Sequence, residues 1–305
     1  MCHPHPAISS LQLTLSHSAP IIIYGYLPSF PLAVFAATLF GVSLHAHIYQ
    51  IYHYRTWYFV TVPIALVLEV LGYIYRSLSA HGDPYRYSFL FLFQDTIHPP
   101  SSACTNPSTH SPSVIYFVLQ YFFIVTSPVF LSAAIYAILS ILIRRIGATY
   151  SPLPPSLVLW IFISSDVITT IIQILGAALI GSAESKQKDP TLGKNILLAG
   201  LAIQVFDFLI FLTMLSIFFT KARKVVWERK ERRVFLVAFV TATLFVYLRT
   251  CFRLAEVALG VQKYLFTHED YFAGLEFAPI AGAMLLFNFW HPGRCLKKEV
   301  VVEEE

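Results

Sequence analysis

Seven stretches of this chain stay apolar over membrane-crossing lengths: roughly 27–50, 57–77, 114–143, 156–181, 194–219, 234–259 and 271–290. Each is long enough for a helix to cross about 30 Å of hydrocarbon. They are too long and continuous for barrel strands, and a helix satisfies its own backbone in lipid. Polar positions interrupt these stretches at helical spacing. Glu69, Gly72 and Arg76 stand at i, i+3 and i+7, and Asp166 and Gln173 lie seven apart. Gly200, Gln204 and Asp207 fall at i, i+4 and i+7, a spacing that Arg249, Arg253 and Glu256 repeat. Such spacing puts each set on one helix face. The pattern predicts an all-α polytopic membrane protein, a seven-transmembrane-helix bundle with converging polar faces.

Eight ionisable side chains lie within these segments: the acids and bases above plus Glu276 in the seventh. A charge left in the bilayer centre costs roughly 2.5–3.5 kcal/mol, so these groups must face one another or a wet cavity. The expected pairing joins Glu69 or Glu256 to Arg249 or Arg253. Such pairs suit either a ligand-accessible cavity or a lock that fixes helix partners and register.

Composition agrees with the pattern, with 56% hydrophobic residues, 12% charged and a mean hydropathy of +0.65. One membrane domain, 24–296, is expected between a short extracellular tail, 1–23, and a disordered acidic cytoplasmic tail, 297–305. Loops that would face one side hold thirteen Lys and Arg, against five on the other. The positive-inside rule therefore places the amino terminus outside and the carboxyl terminus inside. No basic region precedes the first apolar segment, so an uncleaved first helix is expected to direct insertion. In this orientation most of the intramembrane charges lie in the outer half, as a funnel with His268, Glu269 and Asp270 at its rim. The net charge of +4 is mostly this topological bias and implies no nucleic-acid partner.

Pro63, Pro128 and Pro279 fall inside spans and invite kinks. Segment 91–113, rich in Pro, Ser and Thr, reads as a flexible outer loop. Loop 220–233 carries seven basic residues with Glu228 and Glu231 interleaved. It suits anionic membrane lipid or a cytosolic partner. His45 and His47 lack the i, i+4 spacing of a helical metal pair, so no metal is expected. No phosphate loop or Gly-x-Ser-x-Gly elbow occurs, so no cofactor and no enzymatic activity are expected.

Ordered motifs carry a further signal. Tyr24-Gly25-Tyr26-Leu27-Pro28-Ser29 opens the first helix, and Glu69-Val70-Leu71-Gly72-Tyr73-Ile74-Tyr75-Arg76 lies in the second. Asp166 with Gln173 and Gly176 marks the fourth, Gly200 with Gln204 the fifth, and Arg249-Thr250-Cys251-Phe252-Arg253-Leu254-Ala255-Glu256 ends the sixth. Thr267-His268-Glu269 and Phe287-Asn288-Phe289-Trp290-His291-Pro292-Gly293-Arg294 follow. Over about residues 24–296 this set resembles the fungal lipid-translocating exporter family, seven-helix proteins named for resistance to aminocholesterol. The resemblance implies a multi-pass protein of the plasma membrane that moves amphipathic lipids, such as sphingoid long-chain bases or sterol-like toxins. It gives prominence to Glu69, Arg76, Asp166, Gln173, Gln204, Arg249, Arg253 and Glu256. Residues 91–113 depart from the family's short connection and look inserted, as an unremoved intron would. The expected mechanism sets Glu69, Glu256 and Asp166 against a cationic amine, with Arg249 and Arg253 keeping the acids ionised. The alternative is a seven-helix lipid-binding receptor or sensor signalling through loop 220–233.

Overall fold

The computed structural model describes residues 29–80, 112–185, 188–226, 230–259 and 269–297. Most of segment 91–113, His268 and the side chain of Glu269 lie outside these. The described residues are helical, with no strand among them. Five long helices run α1 Phe30–Tyr54, α2 Thr61–Ala80, α3 Pro112–Ile146, α4 Pro155–Ser185 and α5 Thr191–Lys221. Next come α6, Lys230–Leu259, and a composite α7 of Glu269–Tyr271, a π-helical Phe272–Phe277 and Ala278–Phe289. A short α8, Pro292–Lys297, follows. Seven helices are long and apolar enough to cross a membrane, matching the seven segments expected from the sequence.

Consecutive helices pack side by side, α1 on α2 through α6 on α7, and α7 returns to α1. The ring closes, and α3 also reaches across it to α6. The faces turned inward follow from spacing. On α1 the buried positions are Ala33, Ala36, Phe40, Ser43, His47 and Ile51, while Phe35, Val42, Ile48 and Tyr52 point outward. A bundle with large apolar side chains on its outside is built for a hydrocarbon solvent. The α4–α5 seam uses small residues. A Cβ on Gly176 would sit 2.6 Å from the Leu197 nitrogen, and one on Gly193 would sit 2.7 Å from the Ile180 nitrogen. Only hydrogen at these positions lets the two backbones meet so closely.

Basic side chains collect at one end of the bundle. Arg55, Arg144, Arg145, Lys221, Arg223, Lys224, Arg233 and Arg294 are all exposed there. This end also holds His291. The opposite end holds Glu256 and the start of α7.

Candidate functional site

Two prolines and a glycine shape the charged interior before any charge is considered. Proline has no N–H, so Pro128 in α3 leaves the carbonyl of Ile124 without its usual helical donor. The Arg249 guanidinium from α6 takes that place, with Nη2 donating to the Ile124 oxygen at 3.0 Å. Gly72 of α2 lets Ile124 come this close, since a Cβ there would lie 2.6 Å from the Ile124 Cγ1. Pro279 acts similarly in α7. It cannot donate to the carbonyl four residues back, and the ladder shifts to the wider register seen where Ala278 N–H reaches the Ala273 oxygen. Glu276 sits in that widened turn and faces α6.

The result is a compact ionic array. Arg249 Nη2 lies 2.6 Å from Glu276 Oε1, and Arg253 Nη1 lies 2.6 Å from Glu256 Oε2. Arg253 Nε approaches the same Glu276 oxygen at 3.9 Å. Glu69 from α2 hydrogen-bonds with Ser127 and lies within electrostatic reach of Arg249 and Glu276. Arg76 is 1% exposed, and its guanidinium carbon stands 4.1 Å over the Phe272 ring. The Arg253 guanidinium packs 4.9 Å over Tyr121. Both are cation–π contacts, strengthened by removal from water. Three bases and three acids thus balance formally inside the bundle. Glu276 Oε2 and Arg249 Nε are among the buried atoms of this array that have no hydrogen-bond partner among the described residues.

The spacing-based expectation of one converging funnel is corrected here. Arg249, Arg253, Glu256 and Glu276 close on one another, Glu69 and Arg76 are buried in the same part of the bundle, and all six are 1–9% exposed. Asp166, Gln173, Gln204 and Asp207 form a separate set around the α4–α5 seam. Ser132 and Tyr136 donate to Asp166 Oδ2 at 2.5 and 2.9 Å, Ser165 donates to Asp207, and Gln173 Nε2 donates to Gln204 Oε1 at 2.8 Å. The ring order explains the split, because α3 stands between α2 and α4. The pairing also differs in part. Glu256 does meet Arg253, on its own helix, but the acid on Arg249 is Glu276.

A third polar region, at the basic end, was not among the expectations, although Ser43, His47 and Gln50 stand at i, i+4 and i+7. Ser43, His47 and Gln50 form one stripe of α1 against α7 and α8. Asn288 Nδ2 donates to Ser43 at 2.7 Å, Gln50 Nε2 donates to the Asn288 carbonyl at 2.9 Å, and His47 Nε2 meets the Met284 carbonyl at 3.3 Å. His47 and His291 are buried with ring centroids 6.2 Å apart. No group of three or more metal-ligating side chains occurs among the described residues.

Similarities to known proteins accord with this architecture. Residues 102–299 match the family described as RTA1 like protein. The sphingoid long-chain base transporter RSB1 of Saccharomyces cerevisiae is 26% identical over 94% of this chain and 77% of its own length. The lipid-translocating exporter-like protein RTA1 of Leptosphaeria maculans is 24% identical over 94% of this chain and 54% of its own. The probable lipid transporter atnI of Emericella nidulans is 24% identical over 90% and 68%. No solved structure matches the chain.

Proposed function

This chain belongs to the RTA1-like family of multi-pass membrane proteins, and from that premise we propose that it moves amphipathic lipids across the bilayer, with a sphingoid long-chain base as the favoured cargo. The relatives named for transport or translocation support this reading. None of those relatives is named as a receptor, so the signalling alternative has no such support.

The observation that carries the proposal is the array around Glu276. A long-chain base joins an ammonium and hydroxyls to an apolar tail. Glu276 Oε2 is an unused carboxylate acceptor, and Arg249 Nε is an unused donor beside it. An ammonium on the first and a hydroxyl on the second would satisfy both, while the tail stays in the hydrocarbon outside the ring. Glu256 and Glu69 supply further negative charge, and Arg253 and Arg76 keep the acids from accumulating net charge when the cargo leaves. Arg249, Arg253, Glu256 and Glu276 are closed on one another and the whole set is buried, which fits an occluded resting state. Loading then needs the Phe272 and Tyr121 rings to move off their guanidinium groups. The concentration of exposed basic residues at the His291 end supports an orientation with that end in the cytoplasm. The array then lies nearer the exterior leaflet, a placement that suits export at a plasma membrane.

Purified protein in vesicles, with fluorescent sphingoid base added, tests the proposal. Transbilayer movement should exceed that of empty vesicles and drop about tenfold or more in Glu256→Gln, a change of roughly 1.4 kcal/mol or more in cargo recognition. Movement no faster than in empty vesicles would remove the proposal.

A further inference from the structure

A groove between α5 and α6 lies apart from every polar cluster described above. It encloses about 570 Å³ and opens on the outside of the bundle, where the surroundings are hydrocarbon. Phe219, Val240 and Leu244 are among its apolar walls. Ser216 and Thr220 stand one turn apart on α5 and Arg223 lies just past its end, so the groove grades from apolar to hydroxyl to cationic. That sequence of surfaces matches a glycerophospholipid laid along the helix: acyl chain, ester region, charged headgroup. Leu244 stands nine residues before Arg253, about 13 Å along the α6 axis, so the groove is not the ionic array.

The sign of the headgroup follows from charge. Exposed Lys221 and Lys224 flank Arg223, and exposed Arg233 begins the facing helix. Across 221–233 the sequence holds seven basic residues against Glu228 and Glu231. A basic notch between spanning helices at the edge of the hydrocarbon recognises anionic headgroups, and guanidinium binds phosphate in a two-pronged geometry that lysine cannot reproduce. We propose that the α5–α6 groove is a binding site for an anionic phospholipid, held by Arg223 at its headgroup and by Phe219, Val240 and Leu244 along its chain. The occupant is a resident lipid of opposite charge to the cargo proposed above, and its binding does not depend on transport.

Full-length protein in neutral detergent, titrated with dioleoyl phosphatidylserine or dioleoyl phosphatidylcholine, decides the matter, with bound lipid read by native mass spectrometry and Tm by unfolding. The serine lipid should bind about tenfold more tightly than the choline lipid and raise Tm, because its carboxylate adds a charge-assisted contact to the phosphate both lipids share, while the choline cation is repelled. Arg223→Gln should abolish that preference. Leu244→Trp, at a position already 49% exposed, should fill the groove and weaken both lipids without unfolding the protein. Lys194→Gln, at the opposite end of α5, should leave the preference intact. A preference surviving Arg223→Gln, or binding of both lipids undiminished in Leu244→Trp, would assign the lipid to the diffuse charge of the loop and overturn the site. A Tm rise reproduced by inorganic phosphate alone would equally overturn it. Failure of sphingoid-base movement in vesicles would leave this result untouched, so the two proposals fail separately.

Discussion

At the Glu256 end of the bundle six formal charges are buried together; at the His291 end two buried imidazoles and two half-buried carboxamides meet with no formal charge between them. Both regions are polar and enclosed, yet their hydrogen bonding differs. In the ionic array Glu256 and Glu276 each meet an arginine at 2.6 Å, and the aromatic rings of Phe272 and Tyr121 cover two cations. In the neutral region His47 Nδ1, Gln50 Oε1, Thr56 Oγ1, Asn288 Oδ1 and His291 Nε2 all go without partners. An uncompensated buried charge costs several kcal/mol, whereas a neutral group left unsatisfied costs about 1–3 kcal/mol. Compensation of charge is therefore compulsory at one end and not called for at the other, although single atoms such as Glu276 Oε2 and Arg249 Nε go without a hydrogen bond even in the array. In the function proposed above, the array exchanges its internal pairing for pairing with a cargo. The neutral region acts as an interhelical seam joining α1 to α7 and α8.

The sharpest way to break this contrast is Glu276→Gln. It strips the acid shared by Arg249 and Arg253 and should cost about 3–5 kcal/mol, seen as a large fall in detergent Tm or in folded yield. Adding Arg249→Gln to it should restore part of that loss, and additive effects in the double-mutant cycle would refute the pairing. A smaller effect is expected at the neutral end. His291 Nδ1 accepts the Gly293 N–H at 3.1 Å, so His291→Phe keeps the ring packing but orphans that donor. A cost of about 1–3 kcal/mol in Tm should appear, with transport per folded molecule unchanged. Lost transport at normal folding would place His291 in the machinery and erase the distinction drawn here. Smallest of all should be Pro128→Ala. It returns a donor to the Ile124 carbonyl, which then competes with Arg249, and the shift in Tm should stay within about 1 kcal/mol. Its signature should instead be an altered transport rate, because the guanidinium is freed from its anchor. An unchanged rate would mean that the anchor has no bearing on loading.

Much of the architecture was written in local pattern. Apolar length alone marked all seven spans, because hydrocarbon admits only a backbone that satisfies itself. The periodic placement of Arg249, Arg253 and Glu256 put them correctly on one buried face. Pro279 signalled a disturbance in α7, though not that it would become a π-helical turn aiming Glu276 at two arginines. Helical spacing fixes a face but carries no information on which neighbour that face meets. That gap accounts for the split between the Glu69 and Asp166 sets. It also hid the approach of His47 to His291, 244 positions later in the chain.

The sequence by itself determined that this is a seven-helix membrane protein, that its charges turn inward, and that one end is basic. Each of these follows from the energy of single residues or single helices in lipid, which depends on composition and period. Only the packing of the ring decided that Glu276 rather than Glu69 closes on Arg249, and that the polar interior is several clusters instead of one hollow. Such choices arise from distances of a few ångströms between helices far apart in the chain. They rest on where Gly72, Gly176 and Gly193 let backbones touch and where Pro128 leaves a carbonyl open.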